Sequence, residues 1–113
     1  MGRHFILRDG EVVEEPDAAA WARWYEEHYE SVRLIARTEV ADAVVTTEFL
    51  PIGMDVSRGA PPLLFETRVR GGWLDQASEL HASVDEAHAG HRRWVEKIRA
   101  AGKDPSSGKL KLA

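Results

Sequence analysis

The sequence is 113 residues long, with a formal net charge of −4 and no cysteine, which suits one small core and removes disulfides, thiolate nucleophiles and cysteine-ligated zinc. Its composition, 43% hydrophobic and 30% charged, includes no apolar run of membrane-spanning length, and residues 1–10 lack the apolar stretch of a secretory signal, so a cytoplasmic protein without membrane contact is expected. The acidic balance argues against nucleic acid as a partner, because such binding draws on Lys and Arg neutralising phosphates.

In "HFILRDGEVVEE", Asp9-Gly10 separates two short apolar runs. A two-residue Asp-Gly loop suits a type I′ turn, which predicts a hairpin over residues 3–15 with Leu7 facing Val12 and Arg8 facing Glu11. Pro16 and Asp17 then stop the second strand and open a helix, since Pro is tolerated in a first turn and Asp favours the positive end of the helix dipole. Within that helix Ala18, Trp21, Trp24, Tyr25, His28 and Val32 recur at three- and four-residue spacing. They predict an aromatic inner face, with Arg23, Glu26, Glu27 and Glu30 outside.

From Arg33 to Leu50, β-branched residues alternate with charges, which predicts a second hairpin turning at residues 41–43. Leu34, Ala36, Thr38 and Val40 are expected on one face, with Arg33, Ile35, Arg37 and Glu39 on the other. Pro51 is expected to end the next strand, and "IGMDVSRGAPP" reads as a long connection. "LLFETRVRGG" is a strand closed by Gly71-Gly72, and "SELHA" a short edge strand. Ser83 and Glu86 stand in capping-box register before a helix whose apolar stripe is Val84, Ala87, His88, His91, Trp94, Val95 and Ile98. Gly102 suits the position just past its end. Gly90, costing about 1 kcal/mol inside a helix, suggests close approach of a strand or of the other helix.

The fold class expected is therefore α+β, in the order ββαββββα, with an antiparallel sheet of five or six strands and both helices on one face. Residues 1–102 form one domain. Residues 103–113 read as a flexible tail whose last three residues resemble a vector remnant.

Two sets of residues are candidates for chemistry. His28, His88 and His91 lie on the two inner stripes, and two His at i and i+3 can reach one metal, although the i, i+4 pair with an intervening Glu is missing, so no metal or cofactor is assigned. Arg37, Glu39, Glu48, Glu66 and Arg68 fall on strands, where alternation places several on the face away from the helices. A charge ladder accounts for them, each cross-strand pair contributing about 0.2–1 kcal/mol. An acid/base enzyme built on Glu48 or Glu66 with a His remains an alternative. No phosphate loop, dinucleotide fingerprint or serine-nucleophile elbow is present.

The stretches "AAAWARWYE", "RTEVADAVVTTEFLPIGMD", "GAPPLLFETRV" and "EAHAGHRRWV" resemble a group of small proteins encoded by tailed phages and prophages. The resemblance spans residues 3–100 and rests on Trp21, Ala22, Arg23 and Trp24, on Asp55, on Pro61 to Thr67, and on Glu86, Ala87, Gly90 and His91. Val56 stands where the group has His, and Pro51-Ile52 alters the approach to that position. The resemblance implies a phage context without implying a reaction. Small phage proteins without catalytic motifs often act by binding, including as inhibitors of host defence such as anti-CRISPR proteins. Arg37, Glu39, Glu48, Asp55, Glu66, Arg68 and His91 are the binding candidates, with a host or phage protein as partner and a homodimer through a sheet edge or face as a further expectation. A virion or assembly component is the remaining alternative.

Overall fold

In the computed structural model, which describes residues 3–54 and 60–103, Asp9 and Gly10 hold φ at 52° and 79°. They form the expected tight turn between β1 (Phe5–Arg8) and β2 (Glu11–Glu14), with Leu7 opposite Val12 and Arg8 opposite Glu11. Helix α1 (Ala18–Val32) starts at Asp17, whose carboxylate accepts from the Ala19 and Ala20 amides and so satisfies two of the helix's otherwise free donors. The Trp21 indole N–H donates to the Phe5 carbonyl at 3.0 Å, tying α1 to β1.

The four remaining strands, β3 (Leu34–Val40), β4 (Ala43–Met54), β5 (Leu63–Arg70) and β6 (Ser78–His81), form a meander in the order β3-β4-β5-β6, antiparallel throughout, followed by α2 (Val84–Lys103). The order ββαββββα and the α+β class are as expected. The six strands, however, are divided into a two-stranded and a four-stranded sheet, joined among the described residues by a bridge from His4 to Ile52.

Helix α2 covers one face of the larger sheet, where β4 and β5 stack like on like: Val45 opposite Val69, Thr47 opposite Thr67 and Phe49 opposite Phe65, all fully buried. Val95 and Ile98 close on the valines, and Ala87 on the phenylalanines. Burial of each phenylalanine contributes about 1.5–3 kcal/mol. Trp24 of α1 meets Phe49 edge-on at 6.2 Å, and the Tyr29 hydroxyl donates to the Phe49 carbonyl, so α1 reaches the same layer at its end.

Polar groups occupy the middle of this core. Thr38 Oγ1 and His91 Nε2 lie 2.9 Å apart, His91 Nδ1 and Thr47 Oγ1 2.9 Å, Thr47 and Thr67 hydroxyls 2.6 Å, and Thr67 Oγ1 and His81 Nε2 3.0 Å. Satisfied links of this kind offset the cost of burying polar atoms. Gly90 explains itself here: a Cβ on it would stand 2.2 Å from His81 Cε1. The close approach is that of His81 on β6.

Several local expectations give way to longer-range packing. A register shift between Leu34 and Ala36 sets Leu34, rather than Ile35, on the outer side; Leu34 is 48% exposed, while Ile35 packs on the Phe49 cluster. One extra residue flips every face before it. Strand β4 runs through Pro51 to Met54, because pairing with β5 is interrupted between Phe49 and Met54 and Pro51 falls in that irregular stretch. Helix α1 buries no residue completely: Ala18, Tyr25 and His28 are exposed, and Tyr29 turns inward with Trp24 and Val32. His88 likewise points outward from α2, and α2 continues past Gly102 to Lys103.

Candidate functional site

Alternation along β4 and β5 sends Val44, Thr46 and Glu48, with Glu66, Arg68 and Arg70, to the face opposite α2. The register makes rows of them: Val44 opposite Arg70, Thr46 opposite Arg68, Glu48 opposite Glu66. Arg37 of β3 extends the Thr46 row and Glu39 the Val44 row. A concavity of about 200 Å³ is lined solely by Thr46, Glu48, Glu66, Arg68 and Arg70.

Two carboxylates directly opposite each other across strands destabilise a sheet unless cations flank them. Both are flanked. The Arg33 guanidinium donates to Glu48 at 2.6 Å and Arg68 donates to Glu66 at 3.2 Å. Arg37 and Glu39 pair at 2.9 Å along their own strand. Arg70 differs: it leans diagonally to the Thr46 hydroxyl at 3.4 Å and, among the described residues, has no carboxylate partner. The face is thus banded, an arginine row beside a glutamate row, with one cation left for something else.

Of the residues singled out from sequence, Arg37, Glu39, Glu48, Glu66 and Arg68 come together on this face. His91 does not: it is 6% exposed, and threonines occupy both ring nitrogens. Burial pushes its imidazole pKa below the ordinary range, with His88 adding to the effect; burial does the same to His81, where Glu79 and Glu86 oppose the shift and Arg93 reinforces it. His28 lines a separate groove of about 260 Å³ with Leu7, Arg8, Asp9, Trp24 and Val32. Among the described residues no group of three His, Asp or Glu is arranged to hold a metal ion. Asp55 lies outside the described residues.

Sequence reasoning missed Thr46, Arg70 and the role of Arg33, which ends α1 and reaches the sheet. A signal for the register was nonetheless present. Read backwards, β5 from Val69 to Phe65 spells VRTEF, against VTTEF for Val45 to Phe49, so like residues meet in antiparallel pairing and both glutamates fall in one row.

No family model, curated protein or solved structure matches the chain. No helix among the described residues is long and apolar enough to cross a membrane.

Proposed function

We propose that the protein is a noncatalytic binding module that docks on a protein of host or phage origin through the charged face of its four-stranded sheet, acting in the host cytoplasm as an inhibitor of a defence system such as CRISPR–Cas. The observation that carries this reading is the banded face: both signs of charge stand in adjacent rows on rigid paired strands, with α2 covering only the other side. Complementary charge patterns give a protein partner orientation and speed of encounter. Each glutamate of the face is engaged by a guanidinium, an arrangement suited to recognition and not to proton transfer, which needs a carboxylate free to exchange its proton. The resemblance to tailed-phage proteins supplies the biological context.

Plaque assays on hosts carrying single defence systems test the proposal. Expression of the protein is expected to restore phage growth on a protected host, and the variant R68E/R70E to lose that effect while remaining folded. Full protection on every host, or a face variant as active as the parent, refutes the reading.

A further inference from the structure

The banding of the sheet face has a symmetry of its own. Take a two-fold axis lying in the plane of the face, across the strands, between the Thr46/Arg68 row and the Glu48/Glu66 row. Rotation about it lays a second copy face to face on the first, β4 over β4 and β5 over β5, with each row over the other. Arg68 then stands over the partner's Glu66, and the reverse. The Arg70 guanidinium, drawn to Thr46 at 3.4 Å, stands over the partner's Glu48. The two internal Arg68–Glu66 pairs merge into a ring of four alternating charges, and the cation that lacks a carboxylate in the monomer gains one.

We propose that this face pairs with a second copy of the same chain, so that the free protein is a two-fold dimer and another partner engages the face by displacing one subunit. The proposal rests on the face being a docking surface, as above. Stacked sheets lie about 10 Å apart, a gap that an Arg from one side and a Glu from the other span end to end. Four strands about 4.8 Å apart and about eight residues at ~3.3 Å give at most about 500 Å² per subunit. The total, at most roughly 1,000 Å², only reaches the lower limit for a specific interface, so the dimer is weak and exchanges readily. Such a dimer is also salt-sensitive, because its charges are only partly removed from water.

Sedimentation of the full chain over a concentration series at low and high salt tests the proposal, using one variant with an all-positive face, E48R/E66R, and one with an all-negative face, R68E/R70E. The parent is expected to dimerise at low salt and to dissociate with added NaCl. Each variant alone is expected to associate at least about tenfold more weakly, since like charges now face each other. An equimolar mixture of the two is expected to recover a heterodimer. Circular dichroism establishes that each variant is folded; should E48R/E66R not fold, single R70E, at an exposed side chain, carries the same expectation of at least about tenfold weakening. A monomeric parent at low salt, undiminished association of folded variants, or a mixture of folded variants that stays monomeric overturns the dimer. A monomeric parent whose defence inhibition is abolished by R68E/R70E overturns the dimer alone and leaves the binding function in place.

Discussion

Replacing Gly90 by Ala sets two effects of opposite sign against each other. In a helix interior the change is worth about 1 kcal/mol in favour of Ala. Here the new methyl would lie 2.2 Å from His81 Cε1 and 2.7 Å from His81 Nε2. To reach ordinary carbon–carbon contact the imidazole must retreat by more than about 1 Å, which breaks its 3.0 Å link to Thr67. Overpacking costs about 1–3 kcal/mol, and the lost buried hydrogen bond about 1 more. The net expectation is a loss of about 1–3 kcal/mol, or a Tm lowered by roughly 5–20 °C for a domain of this size. The decisive comparison is the same substitution in an H81A background. With the ring gone, Gly90→Ala should stabilise by about 1 kcal/mol, so the sign reverses. Urea and thermal unfolding of the four chains followed by circular dichroism give the cycle. A Gly90→Ala variant as stable as the parent, or one with the same effect in both backgrounds, would refute the claim that His81 is why the helix carries a glycine.

Three more outcomes follow from the buried chain and the helix cap. His81 and His91 have folded pKa values lowered by burial, so the unfolded chain binds more protons as pH falls: stability is full above the unfolded value of about 6.5 and declines as pH drops below it toward the folded values, and urea midpoints from pH 8 to 5 should fall on that side only. Thr67→Val, nearly isosteric, removes the central link of the buried chain, taking the hydroxyl partner from His81 and leaving Thr47 with His91 alone; a loss of about 1–3 kcal/mol in chemical denaturation is expected, and a neutral result would show the chain to be dispensable. Asp17→Ala removes the acceptor for two α1 amides and should cost about 0.5–2 kcal/mol, with Asp17→Asn close to neutral; an Asn variant as weak as Ala would contradict the capping role.

Features set by a few adjacent residues were legible in the sequence. Asp9-Gly10 specifies its turn by φ, Asp17 and Ser83 start their helices, the Ser83 hydroxyl accepting from the Glu86 amide, and Gly71-Gly72 end β5 at φ 89° and 70°. Glu66 was readable as the outer member of a two-faced strand, and Arg68 is the cation beside it. What was not legible depends on contacts far apart in the chain. The spacing of the α1 stripe did not reveal that α1 covers a small hairpin and one end of the larger sheet, a surface too narrow to bury Tyr25 or His28 with Trp24. The shift between Leu34 and Ala36 is invisible to strict alternation, and it decides that Ile35 packs inward. The inner position of His91 was legible from its stripe, but not its loss as a binding candidate, because only the fold places Thr38 and Thr47 at its two nitrogens. Arg33 was counted as a strand residue; its position at the end of α1 turns it toward Glu48.

The threonine–histidine chain inside the core also limits how many protons it can hold. Thr47 and Thr67 each bring one hydroxyl hydrogen, and each stands between two neighbours. If His91 is charged, its Nδ1–H donates to Thr47, Thr47 donates to Thr67, and Thr67 donates to a bare Nε2 on His81. If His81 is charged, every arrow from His81 to His91 runs the other way. With both charged, the rings donate from both ends and one hydroxyl hydrogen is left with no acceptor along the chain, a loss comparable to an unsatisfied buried group. The two imidazoles therefore titrate as a pair: burial already disfavours the first proton, and the shared chain opposes the second further. Although the rings are separated by two threonines, the charge on either one sets the tautomer of the other.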